Sequence, residues 1–106
     1  MTDRIRAIQA MLEKNPNDVF LHYSLGMEHA SAGQYAQAVA SLRRCIQLDG
    51  NYLPAYVEAG KCLRSAGDFA AAREIFQAGM ELADRLGERH TRDFIRQQMD
   101  GLPEPR

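Results

Sequence analysis

"LGMEHASAGQYAQAVASL", residues 25–42, is the stretch whose reading decides the fold of this chain. It reads as helix, break, helix, and a glycine stands inside the first helix at Gly26. A mid-helix glycine costs about 1 kcal/mol relative to alanine, so its presence asks for a reason. "AGKCLRSAGDFAAAREIF", residues 59–76, repeats the pattern 34 residues further on. That shift superposes Gly26 on Gly60, Ser31 on Ser65, Gly33 on Gly67, Ala38 on Ala72 and Leu48 on Leu82. Tyr35 falls on Phe69 and Leu42 on Phe76. A fixed period with matched small and aromatic positions marks a repeat architecture.

Within one period the apolar positions Tyr35, Ala38, Val39, Leu42, Cys45 and Ile46 have helical spacing. The preceding segment places Leu21, Leu25 and His29 on one stripe with Gly26 beside it. Gly33 follows "SA", where a helix would end at positive φ, a region glycine enters without a Cβ penalty. Two helices joined by so short a turn pack antiparallel. Gly26 then has a use, because it lets the returning helix come close, with Ala38 as the expected neighbour. Gly60 and Ala72 repeat the arrangement. The alternative, two tolerated glycines without a packing role, does not account for their recurrence at one period.

The 106 residues suit one domain with a modest continuous core. Apolar residues make up 45% and charged residues 25%, ordinary for a globular protein. A formal net charge of −1 argues against nucleic-acid binding by bulk positive charge. No apolar run approaches the roughly 18 to 20 residues needed to span a membrane. The opening "MTDRIRAIQAMLEKNPND" lacks the continuous apolar block of a signal peptide, and a cytoplasmic location is expected. Cys45 and Cys62 are too few for a disulfide framework and too far apart for a CxxC motif. They read as reduced core thiols, against a redox pair or a reactive nucleophile.

Leu25-Gly26, Gly33, Tyr35, Ala38 and Leu42, followed by Gly60, Gly67, Phe69, Ala72 and Phe76, resemble the tetratricopeptide repeat family. The resemblance covers two full repeats and departs from the family pattern at His22, His29, Ala59 and Gly50. It implies an all-α superhelix of about six helices, two full repeats flanked by a half-repeat helix at each end. Residues 1–100 then form one domain: an N-terminal helix in 1–18, repeat one in 19–52, repeat two in 53–86 and a capping helix in 87–100. The N-terminal helix places Ile5, Ile8, Met11 and Leu12 on one face; the capping helix places Phe94, Ile95 and Met99 on one side. Residues 101–106, "GLPEPR", are expected to be a frayed tail.

No catalytic constellation is visible: there is no GxSxG, P-loop or HExxH, and no enzymatic activity is expected. His22 and His29, seven residues apart, could share a helix face, but a metal site needs further ligands, and His90 lies in another helix. Neither a metal nor a cofactor is expected. Glu28 and His29 are adjacent, so they point in different directions on a helix. The run "DRLGERHTRDFIR" interleaves Arg85, Arg89, Arg92 and Arg96 with acidic residues, as a solvated helix face does.

In the tetratricopeptide family the first helix of each repeat lines a concave surface where peptides bind. Carried over, that implies a groove of Phe20, Tyr23, Met27 and Ala30, then Pro54, Val57, Lys61 and Arg64, then Thr91, Arg92 and Ile95. Tyr23, Met27, Thr91 and Ile95 stand where the family's clamp for terminal carboxylates uses polar and basic residues, so that recognition is not expected. The resemblance implies a non-catalytic interaction module. Its partner is a protein or peptide with apolar and acidic residues, neither nucleic acid nor membrane. The alternative is a homo-oligomer built through the apolar stripe, which could equally be covered by the N-terminal helix.

Overall fold

The computed structural model describes residues 2–104, of which residue 2 is described by its backbone alone. Among the described residues six helices follow one another: α1 (Thr2–Lys14), α2 (Val19–Ser31), α3 (Tyr35–Leu48), α4 (Leu53–Ser65), α5 (Phe69–Leu86) and α6 (Arg89–Asp100). Each packs on its neighbours in sequence, and α2 also meets α4. The helices therefore form two layers, with α2, α4 and α6 in one and α1, α3 and α5 in the other. Residue 1 of the N-terminal helix and residues 105–106 of the tail lie outside the described residues.

The turns explain the stacking. Gly33 and Gly67 have φ of +74° and +85°, and the residue after each donates its amide back five residues, Gln34 to His29 and Asp68 to Leu63, both at 2.9 Å. This closure satisfies carbonyls that a helix end otherwise leaves open. At the starts, Asp18 Oδ1 accepts from the Leu21 amide at 3.1 Å and Asp68 Oδ1 from the Ala71 amide at 3.2 Å. Such caps contribute about 1 kcal/mol each.

Ala38, Leu42 and Cys45 from α3, Ala59 from α4, Phe76 from α5 and Ile95 from α6 are wholly buried in one continuous core. The helical glycines Gly26 and Gly60 sit against its largest members. A Cβ on Gly26 would lie 2.8 Å from Leu42 Cγ, with the Ala38 carbonyl next at 3.3 Å. A Cβ on Gly60 would lie 2.6 Å from Phe76 Cζ and closer still to two other ring atoms. The close neighbour is thus the larger side chain one turn beyond Ala38 and Ala72. The alanines are buried beside it.

Two expectations change. The tail is not frayed at its start, because Leu102 is only 6% exposed and joins the core cluster, while Arg73 donates to the Pro103 carbonyl at 2.8 Å. On α1, Ile5 is buried and Ile8 and Leu12 are half-buried, but Met11 is 46% exposed. It stands beside Phe20 in a cleft between α1 and α2 instead of on the core side.

Candidate functional site

The first helix of each repeat and the last helix of the chain, α2, α4 and α6, present one face of the molecule. Three clefts run along it. The first, about 540 Å³, lies between α1 and α2 and is lined by Ile8, Met11, Phe20, Tyr23 and Met27 among others. A smaller one of about 260 Å³ lies between α2 and α4 and carries Met27, Tyr35, Glu58, Lys61 and Arg64. The third, about 500 Å³, lies between α4 and α6 over Leu53, Pro54, Val57 and Phe94.

Among the described residues Phe20 is the most exposed large apolar side chain, at 64%. Tyr23 and Met27 are half-buried. Tyr23 meets the ring of Tyr52 edge-on, with centroids 5.4 Å apart, a contact that restricts its orientation. Burial, helped by the Glu58 carboxylate, raises its phenol above the ordinary pKa. The hydroxyl therefore stays protonated well above neutral pH. Val57 is half-buried at the α4–α6 cleft, and Ala30 and Pro54 also line the face.

The cations have partners. Lys61 Nζ lies 3.4 Å from Glu58 Oε1 one turn back. Arg64 donates to Gln98 Oε1, which ties α4 to α6. Arg4 of α1 pairs with Glu28 of α2 at 3.3 Å, across the mouth of the first cleft.

Two residues expected in the groove are elsewhere. Ile95 is wholly buried and reaches the α5 backbone, where its Cδ1 would sit 3.2 Å from a Cβ on Gly79. Arg92 turns to the α5 side and donates to Asp84 at 3.1 Å and to Asp93 at 3.3 Å. Those hydrogen bonds hold its guanidinium charged beyond its usual range, and its Nε is buried without an acceptor. Thr91, Phe94 and Gln98 face α4 in their place. The cause is the spacing of helix starts: α2 to α4 is 34 residues and α4 to α6 is 36. α5 has 18 residues where α3 has 14, and its extra turn replaces part of the linker. A strict 34-residue shift therefore puts the wrong side of α6 on the groove. Phe94, Gln98, Glu58 and Gly79 were missed by the sequence reading; only the apolar character of Phe94 at three residues from Thr91 offered a signal.

The remaining reactive side chains have structural surroundings. Cys45 and Cys62 are buried free thiols. Burial pushes the Cys45 thiol up to about 11 and raises that of Cys62, where the Glu58 charge adds to it. Neither offers a thiolate near neutral pH. His22 Nε2 donates to the Pro16 carbonyl at 2.7 Å, and His29 Nδ1 lies 2.8 Å from Gln34 Oε1. Among the described residues no group of three or more potential metal ligands converges. No helix among them is long and apolar enough to cross a membrane.

A family model described as Tetratricopeptide repeat matches residues 29–86. A TPR repeat-containing protein of Pseudomonas aeruginosa is 30% identical over 96 residues, covering 87% of this chain and 91% of the relative. The structure of the TPR2B-domain:pHsp70 complex of yeast Sti1 superposes with a TM-score of 0.83 at 19% identity, over 90% of this chain and 76% of that one. PcrH in complex with the chaperone binding region of PopD superposes with a TM-score of 0.86 at 22% identity, over 93% and 75%. At those identities the structural likeness speaks to the fold.

Proposed function

Because the chain belongs to the tetratricopeptide repeat family, we propose that it is a non-catalytic interaction module whose concave face holds a peptide or helix of a partner protein. One observation carries this reading. Phe20, Tyr23, Met27, Val57 and Phe94 leave apolar surface along the shared face of α2, α4 and α6, and each lines a cleft there. Apolar side chains in clefts beside polar rims are what an interface needs at its anchoring positions. The Sti1 domain and PcrH, which share the fold, were each determined in complex, with pHsp70 and with a region of PopD.

Tyr23 and Met27 are the anchors at one end of the face. Lys61 and Arg64 line the cleft between α2 and α4 and supply positive charge for an acidic residue of the ligand. Arg92 and Ile95 have no part in it, since one is paired on α5 and the other is in the core. The cytoplasm remains the proposed location, on the two unpaired buried thiols. The test uses random peptides displayed on phage and selected on the folded protein. Tyr23→Ala should weaken a selected peptide by roughly 1 to 3 kcal/mol without loss of helical signal. Lys61→Glu with Arg64→Glu should abolish binding of acidic peptides in a salt-dependent way. Unchanged binding in all of these folded variants would take the site off the concave face.

A second reading has its own observation. Met11 and Phe20, 46% and 64% exposed, adjoin at the α1–α2 cleft and would serve as a contact between two copies. Sedimentation decides it: a concentration-dependent mass that Phe20→Ser abolishes supports self-association, and a constant monomer mass rejects it.

A further inference from the structure

The two clefts that flank α4 differ in charge. Lys61 and Arg64 line the one toward α2, together with Glu58. The cleft toward α6 has an apolar floor of Leu53, Pro54, Val57 and Phe94, and the formal charges lining it are the carboxylates of Glu58 and Glu88. Resting on the concave-face reading above, we propose that this α4–α6 cleft takes an apolar side chain flanked by a lysine or arginine. The bound segment is then basic-apolar at the start of α4 and acidic toward its end, which fixes the direction in which it lies.

Glu88 is the first element of the argument. It is the residue before α6, its side chain makes no capping hydrogen bond, and it is exposed without an ion-pair partner among the described residues. Its carboxylate lines the cleft unpaired, so the cleft already presents an anion and disfavours an acidic ligand. Glu58 is the second. Its side chain is 20% exposed with Lys61 at 3.4 Å, yet its charge still opposes ionisation of Tyr23 and of Cys62. The ammonium of Lys61 therefore leaves part of that field uncancelled within the face. Phe94, 40% exposed, supplies apolar surface in the same cleft as the two carboxylates. Charge placed around an apolar pocket selects partners by complementarity and penalises like charge. Pro54 and Arg64 stand ten residues apart on α4, about 15 Å along a helix axis, a span that a short segment covers.

The probe is a phage-displayed random peptide library selected in parallel on the wild-type protein, on Glu88→Gln and on Glu58→Gln/Glu88→Gln. Wild-type selection should enrich lysine or arginine next to an aliphatic or aromatic residue. The double variant should lose that enrichment, and a selected peptide should bind it about tenfold more weakly, with helical signal and Tm unchanged. Glu88→Gln, which breaks no internal ion pair, should show the same direction with a smaller effect. Acidic enrichment on wild type, or equal binding to all three proteins, overturns the inference. If Tyr23→Ala and Val57→Ala weaken the selected peptides while the glutamine variants do not, the concave-face reading stands and this inference falls. If no groove variant changes binding, both fall.

Discussion

In Gly60→Ala a methyl group would be placed 2.6 Å from Phe76 Cζ, with two further ring atoms closer, where carbon atoms normally rest about 3.5 to 4.0 Å apart. The ring has no room to yield, since Phe76 is 0% exposed. Overpacking of this kind costs roughly 1 to 3 kcal/mol and occasionally more. Alanine returns about 1 kcal/mol through its better helix propensity. Because the overlap involves several atoms of a wholly buried ring, the upper part of the overpacking range applies. A net loss of about 2 kcal/mol is expected. For a domain of this size that corresponds to a fall of roughly 8 to 15 °C in Tm. Gly26→Ala meets Leu42 Cγ at 2.8 Å, a side chain with more rotamer freedom than a ring, and should lose about 1 kcal/mol. The assay is equilibrium unfolding in urea followed by the helical circular dichroism signal. Phe76→Leu in the Gly60→Ala background should be less harmful than Phe76→Leu alone, a favourable coupling measured by the double-mutant cycle. Unchanged or raised stability in Gly60→Ala would leave only the propensity effect and refute close packing as the reason for the glycine.

Leu102→Ala should cost about 2 kcal/mol, at the lower end for buried leucines because the site is at the edge of the array; an unchanged urea midpoint would mean that the tail does not close the core. A thiol-specific reagent should label Cys45 and Cys62 at the rate of unfolding near neutral pH, and fast labelling of the native protein would contradict their burial. Both thiols have folded pKa values above their unfolded ones. Their contribution is therefore complete below the ordinary thiol value of 9.0 and is lost as pH rises above it, for Cys45 toward about 11. Cys45→Ala should flatten that part of the stability profile. Asp84→Asn should leave Arg92 paired with Asp93 and the urea midpoint nearly unchanged, since both carboxylates are largely exposed; a marked fall would show that this pair holds α6 in place.

The repeat was legible because its physics is local and recurs. Gly33 and Gly67 end their helices in the left-handed region, and the buried positions of α3 and α5 follow the apolar spacing of the two quoted stretches. What failed to carry over depends on distances between elements. α5 runs one turn longer than α3, so the period misplaced Arg92 and Ile95, while Thr91 alone of the expected cap residues faces the groove cleft. Pairing of Arg64 with Gln98 joins residues 34 apart in different helices, which no helical spacing rule reaches. Leu102 sits in a segment rich in glycine and proline, and its apolar side chain was outweighed by that composition. The glycine contacts lay between these cases: their existence followed from the period, but Leu42 and Phe76 as the neighbours required the helices to be placed.

The central claim is that binding occurs on the face of α2, α4 and α6. Its most direct test is chemical-shift mapping of the isotopically labelled protein, titrated with a peptide obtained by display selection on the wild type. The account predicts that the largest changes fall on Tyr23, Met27, Val57, Lys61, Thr91 and Phe94. Changes centred on Arg43, Ile46, Tyr56 and Glu74, which line the cleft of about 350 Å³ between α3 and α5 on the opposite side, would contradict it.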